Sequence, residues 1–132
     1  MALRKKSRGF TIIELMVVIS IILILVSIAV PIYHQSILRA KEAVLRQDLF
    51  TMRSVIDQYT LDKGKAPQSL DDLVTAGYLK ELPIDPFTNA RDTWQTVQED
   101  YTESVDQDQP GITDVHSGAS GAGADGTPYS EW

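Results

Sequence analysis

A chain of 132 residues, 43% hydrophobic and 23% charged, is long enough for one small domain and too short for two of ordinary size. Of its 12 Lys and Arg residues, Arg4, Lys5, Lys6 and Arg8 precede every acid, so 8 bases face 18 acids in the remainder, and such an acidic body lacks the basic face that nucleic-acid binding requires. The absence of cysteine excludes disulfides, a thiolate nucleophile and cysteine-ligated zinc.

Residues 15–33 carry no charge, and Ser20 and Ser27 are their only hydrophilic breaks. At ~1.5 Å per helical residue this run of about 19 residues covers roughly 28 Å, close to the ~30 Å hydrocarbon core of a bilayer. The basic cluster before it predicts a cytoplasmic amino terminus and a body on the opposite side of the membrane. A secretory signal peptide and an ordinary signal anchor are the simpler alternatives. The first is opposed by the length of the run and by Pro31 close to the small-residue sequence Ser27-Ile28-Ala29.

The second is opposed by Glu14. A carboxylate at the head of an apolar helix is penalised by up to roughly 2.5–3.5 kcal/mol on insertion scales. The next basic residue along the chain is Arg39, so the helix itself offers no cation within a turn on the carboxyl-terminal side. A Glu snorkelling to the interface is the alternative.

Gly9-Phe10-Thr11-Ile12-Ile13-Glu14-Leu15, between a short basic leader and the long apolar run, resembles the class III signal of type IV pilins and pseudopilins. The resemblance implies a cut by a membrane-embedded prepilin peptidase between Gly9 and Phe10, and methylation of the new Phe10 amine. It also implies a filament in which that amine, on a neighbouring subunit, neutralises Glu14, and it matches Pro31 to a proline common in the family's helix. At ~4 Å and an effective dielectric near 20, carboxylate and ammonium attract by about 4 kcal/mol, enough to offset the insertion penalty.

Pro31 removes one helical N–H and predicts a kink or local loosening rather than an end. Ile37, Leu38, Leu45, Leu49, Met52, Ile56 and Tyr59 continue at 3- and 4-residue spacings, separated by Arg39, Lys41, Glu42, Arg46, Gln47, Asp48 and Asp57, which predicts an amphipathic continuation. Gly64 is the expected stop, after a helix from 10 to 62 about 80 Å long. The remaining carboxyl-terminal sequence is the intramolecular candidate to cover the stripe of this continuation, and the apolar half has none; the resemblance implies that in a filament it packs on identical helices, with Ser20, Ser27 and Ala29 as close-approach positions.

Ser69, Asp71 and Asp72 read as the capped start of a short helix ended by Gly77. Adjacent on a helix, the two carboxylates point apart and make a poor catalytic pair. Residues 76–89, AGYLKELPIDPFTN, are similar to the αβ-loop of the major pseudopilins of type II secretion. Phe87 stands where that group usually has Trp, and Thr88-Asn89-Ala90-Arg91 replaces its usual turn. Residues 93–98, with Trp94 and Thr96 on one face, and 111–117 predict an antiparallel strand pair joined by an acidic solvated loop over 99–109. Residues 117–126 are Gly/Ala/Ser-rich and too small to supply core, while Tyr129 and Trp132 are placed to pin them back. The resemblance also raises calcium in this loop, with Asp125 as the positional match, in a shell that needs six to eight oxygens.

His34 and His116 are the only histidines and share no metal or triad spacing; there is no phosphate loop, dinucleotide turn or His-Glu-x-x-His. The expected fold is α+β: a long amino-terminal helix, transmembrane then amphipathic, packed on an αβ-loop and a small antiparallel sheet. The expected divisions are a leader, 1–9; a transmembrane and polymerisation helix, 10–33; and a periplasmic domain, 34–132, comprising helix 34–63, αβ-loop 64–92 and sheet with terminal loop 93–132. The resemblance implies a non-enzymatic major pseudopilin, anchored in the inner membrane with its body in the periplasm and needing no cofactor. It also implies a helical homo-oligomer that works with the prepilin peptidase, an inner-membrane assembly platform and minor pseudopilins to drive export across the outer membrane. A type IV pilin or minor pilin, and a monomeric membrane-anchored binding module, are the alternatives.

Overall fold

A computed structural model describes residues 8–99 and 110–132; most of the expected acidic loop and most of the basic leader lie outside the described residues. The chain divides into two compact units at Leu38/Arg39. One helix, α1 (Ile12–Lys63), contributes to both and runs uninterrupted through Pro31. The expected continuation past the proline is therefore present.

In the first unit α1 is capped by Thr11, whose hydroxyl accepts the Glu14 N–H at 3.2 Å and whose carbonyl accepts the Leu15 N–H at 3.1 Å. Every large apolar side chain of α1 from Ile12 to Leu38 is exposed. The hydroxyls in this stretch satisfy themselves: Ser20 donates to the Met16 carbonyl and Ser27 to that of Ile24, both at 2.7 Å, and Ser36 to that of Ile32 at 2.9 Å. The polar breaks in the apolar run thus need no partner outside their own helix.

In the second unit Leu45, Leu49, Met52 and Ile56 of α1 form one buried stripe, as their spacing predicts. The core is completed by Leu70 and Leu73 of α2 (Leu70–Thr75), Trp94, Ile112, Val115, Ala119 and Tyr129. Lys63 closes α1 beside the negative end of its dipole, and Gly64 takes the left-handed conformation expected of the stop. At the start of α2 the Asp72 carboxylate accepts the N–H groups of Gln68 and Ser69 at 2.9 and 3.1 Å. At its end Gly77 donates to the Val74 carbonyl and Tyr78 to that of Leu73, the paired bonds of a Schellman stop. Asp72 is thus the capping acid, and Asp71 takes part through its backbone carbonyl, which accepts the Thr75 hydroxyl at 3.0 Å.

The sheet has two antiparallel strands, β1 (Gln95–Glu99) and β2 (Gly111–His116). β1 is exposed along its length, so of the expected apolar face only Trp94, just before the strand, is buried, and Thr96 is exposed. Ile112 and Val115 of β2 are both buried despite an odd spacing that would put them on opposite faces of a regular strand. The register supplies the reason, since Val97 pairs with Asp114 and Gln98 with Ile112, leaving Thr113 as an extra residue. That bulge rotates the strand by one face.

The αβ-loop is organised around Asp85, which is fully buried. Its carboxylate accepts the Phe87 N–H at 2.8 Å and the Ser117 hydroxyl at 2.5 Å, and its backbone bonds Ala90 and Asn89. Asn89 adopts φ 53°, a left-handed position that asparagine tolerates where other side chains resist it. The Trp94 indole N–H donates to the Pro83 carbonyl at 2.9 Å. Tyr78 donates its hydroxyl to Asp62 at 2.7 Å, which lowers the Asp62 carboxyl and raises the Tyr78 phenol from their ordinary values. The Tyr-Leu and Pro-x-Asp-Pro residues of the loop are thus fasteners.

Asp48 is half-buried, and its carboxyl is raised above the usual aspartate range, first by burial and then by the nearby Asp85 charge. The folded chain therefore holds this proton more tightly than the unfolded one. The group's contribution to stability is complete below the usual aspartate value and is lost as pH rises through the raised one. Asp48→Asn is expected to raise the melting temperature at about pH 7 by roughly 2–4 °C, allowing for solvent screening, and to match the wild type near pH 3. Thermal melts of both proteins across that range check it.

Candidate assembly site

The residues singled out by the basic-leader and apolar-run pattern occupy the amino-terminal end of α1. Gly9 and Phe10 precede the helix, and the Phe10 ring is 83% exposed. Glu14 lies in the first helical turn and is exposed; no ion pair joins it to a Lys or Arg among the described residues. Arg8, the nearest described base on its amino-terminal side, forms none with it.

One feature of this turn escaped the reading of the sequence. Thr11 and Glu14 have the spacing of a capping pair, and Thr11 makes its half of it to the Glu14 N–H. The positive end of the helix dipole also favours a carboxylate there, by about 0.3–1 kcal/mol. This falls short of an insertion penalty of up to roughly 2.5–3.5 kcal/mol. The helix start explains an acid at this position in water, and leaves an unmet charge in lipid.

Pro31 lies within the exposed apolar segment of α1. α1 is long and apolar enough to cross a membrane. Together these residues make an end that is charged, without an ion pair among the described residues, and continuous with an apolar helical surface in the first unit. Such an end can associate through side-chain packing and one charge contact.

Asp125 belongs to the second unit, on an exposed turn where its carboxylate accepts the Thr127 N–H at 3.0 Å. That bond, chiefly, holds the Asp125 carboxyl below its usual value, with a smaller contribution from the Arg46 charge. No group of three or more His, Cys, Asp or Glu that could hold a metal occurs among the described residues. Arg46, Glu131, Thr127 and Trp132 line the same shallow groove as Asp125. Two carboxylates, one of them already accepting the Thr127 N–H, beside a guanidinium fall short of a calcium shell of six to eight oxygens.

The carboxyl-terminal segment departs from expectation in a second way. Ser117 and Ala119 are buried, so the Gly/Ala/Ser-rich stretch does supply core, because small side chains are what close packing there accepts. Tyr129 and Trp132 pin the segment as expected. Tyr129 is buried, stacks on Phe87 with centroids 4.2 Å apart, and donates its hydroxyl to Glu42 at 3.0 Å. Burial first, and that bond second, raise the Tyr129 phenol above its ordinary value. Glu42, read from sequence as part of the polar face, is buried by this contact. Arg53, which no motif signalled, donates to the Asp114 carboxylate at 2.6 Å, the Val115 carbonyl at 2.9 Å and the Trp132 backbone oxygen at 2.5 Å. His116 contacts the same Trp132 oxygen through Nδ1 at 2.6 Å, and His34 packs edge-on to Tyr33 in the other unit.

Comparison with known proteins agrees with this arrangement. Residues 4–30 match the prokaryotic N-terminal methylation motif. The chain is 32% identical to the type II secretion system core protein G of Klebsiella michiganensis, over 97% of this chain and 91% of that protein. It is 33% identical to the protein of the same name in Vibrio cholerae, over 92% and 90%, and 35% identical to that of Pseudomonas aeruginosa, over 65% and 72%. No solved structure gives a significant match. With an N-terminal methylation motif at the head of an exposed apolar helix, an α+β body, and this similarity running nearly end to end, the chain belongs to the type II secretion system core protein G family.

Proposed function

We propose that the chain is the major pseudopilin of a type II secretion system, a non-enzymatic structural subunit of a helical filament that drives folded proteins across the outer membrane. The observation that carries the reading is the amino-terminal end of α1: Gly9-Phe10 ahead of the first turn, Glu14 within it without an ion-pair partner among the described residues, and an apolar helix exposed through Leu38. A prepilin peptidase cuts between Gly9 and Phe10 on the cytoplasmic face, and the Phe10 amine is methylated. A methylated amine keeps its proton and its charge at neutral pH.

Before assembly the subunit sits in the inner membrane with its amino terminus cytoplasmic and residues 34–132 in the periplasm. An assembly platform extracts it and minor pseudopilins join the fibre. The Phe10 ammonium of one subunit then meets Glu14 of its neighbour, while the apolar segments pack around Pro31 and the self-satisfied serines. Mass spectrometry of the protein purified from cells with an active prepilin peptidase tests the first step. The expected mature form begins at Phe10 and carries one methyl group. An intact leader supports the monomeric anchor instead.

Two readouts distinguish the pseudopilin from a type IV pilin, the nearest rival. Deletion of the pseudopilin abolishes export of secreted proteins and spares surface motility; deletion of a pilin does the reverse. The similarity of residues 76–89 to the αβ-loop of major pseudopilins, and the likeness of nearly the whole chain to type II secretion system core proteins G, favour the pseudopilin.

A further inference from the structure

The groove of Arg46, Asp125, Thr127, Glu131 and Trp132 is where the resemblance to secretion pseudopilins directs attention for calcium, yet the described residues give a different device. We infer that the Arg46 guanidinium, and not a bound divalent cation, holds the carboxyl-terminal loop of residues 118–132 on α1, so that this loop closes without metal.

The contacts form a connected set. Arg46 projects from the exposed flank of α1, and its guanidinium carbon lies 4.5 Å from the centroid of the Trp132 ring, well inside cation–π range. The same ring meets Tyr129 edge to face at 5.0 Å, and its indole N–H donates to the Thr127 carbonyl at 3.2 Å. The indole therefore ties α1 to the turn that carries Asp125. That turn is closed by its own bonds, with Gly126 donating to the Gly123 carbonyl and Gly123 to that of Thr127, at 2.9 and 2.8 Å.

Gly123 is tailored to the ring. A Cβ there would lie 2.3 Å from Cζ2 of Trp132, so the backbone approaches the indole as closely as only glycine permits. On the other side of the loop Glu42 accepts from Tyr129, and Arg53 and His116 hold the Trp132 backbone oxygen. A divalent ion at Asp125 would have to sit in the field of the Arg46 guanidinium, beside a carboxylate whose Oδ1 already accepts the Thr127 N–H. The Arg46 guanidinium is itself the positive charge beside Trp132 and Asp125. This inference concerns how the loop folds and does not depend on whether the chain polymerises, so its failure and that of the filament reading are separate results.

The test uses the full chain in detergent micelles, measured by thermal melting and by hydrogen exchange resolved to peptides. Wild-type protein is expected to melt at the same temperature with excess calcium chloride as with EDTA, and peptides covering 118–132 exchange at the same rate in both. Arg46→Gln, which removes the charge and keeps the stem, is expected to lower the melting temperature by about 4–8 °C. It also speeds exchange in 118–132 at least about fivefold, with residues 70–75 of α2 unchanged. Arg46→Lys keeps a cation over the ring and recovers most of that protection. A wild-type melting temperature raised by calcium relative to EDTA, together with slower exchange in 118–132, overturns the inference whatever the variants do. Unchanged exchange in Arg46→Gln overturns it equally.

Discussion

Replacing Asp85 by alanine is expected to lower the melting temperature of the full chain by about 15 °C. The side chain is fully buried and accepts from the Ser117 hydroxyl and the Phe87 N–H, with a longer bond from the Thr88 N–H, so its removal strands one buried and one half-buried donor. Each stranded donor costs about 1–3 kcal/mol, and relief of the repulsion with Asp48 returns a small part. A net loss near 3 kcal/mol in a domain of this size corresponds to roughly 12–24 °C. Asp85→Asn separates the hydrogen-bonding role from the charge. Its amide oxygen still accepts from Phe87 and its amide nitrogen donates to the Ser117 oxygen, so about a third of the loss is expected. Calorimetric melts of the two variants check the ratio. Equal losses would mean that the charge, and not the bonds, matters.

The second large effect is on assembly. Glu14→Ala is expected to insert into the inner membrane at least as well as the wild type, because an acid has been removed from the head of an apolar helix. The helix start survives, since Thr11 caps through its own hydroxyl to a backbone N–H that alanine retains. Filament yield is expected to fall to background. A contact of about 4 kcal/mol at ~4 Å and an effective dielectric near 20 multiplies each subunit-association constant by roughly a thousand, and the growing fibre needs that contact at every step. Glu14→Gln keeps the shape without the charge and is expected to fail as well. Membrane fractionation and sheared-filament yields, measured on the same cultures, distinguish a lost charge contact from a lost subunit. Normal filament yield from Glu14→Gln would remove the electrostatic role.

Much of this was legible in the sequence because periodicity speaks clearly about helices. Leu45, Leu49, Met52 and Ile56 recur at the spacing of one helical face and are the buried stripe, and Gly64 and Gly77 end α1 and α2 where a left-handed residue was called for. The sheet was legible only as two strands. Nothing in residues 111–117 announces that Thr113 is an extra residue, because a bulge is set by the partner's register and not by local propensity. Alternation places Trp94 on a strand face, whereas it lies just before the strand, held by the Pro83 carbonyl, a partner eleven positions away.

The polar contacts were the least legible. Glu42 looks like any solvated acid until Tyr129 is seen against it across 87 positions, and Arg53 carries no motif although it binds three groups on two segments. Long-range partners leave no periodic trace. Small residues mislead for a related reason: Ser117 and Ala119 lack bulk, and it is that lack which lets the segment enter the core beside Asp85. The assembly end was legible in composition, yet the Thr11 cap shows that part of Glu14's placement is ordinary helix chemistry.

The central claim is that the carboxylate of Glu14 is completed by a charge from another copy. A density map of purified fibres at a resolution that places side chains tests it most directly. The expected result puts a Glu14 oxygen of each subunit within about 4 Å of the methylated Phe10 nitrogen of an adjoining subunit. Fibres in which every Glu14 carboxylate lies more than about 10 Å, a Debye length, from any such nitrogen would contradict the account.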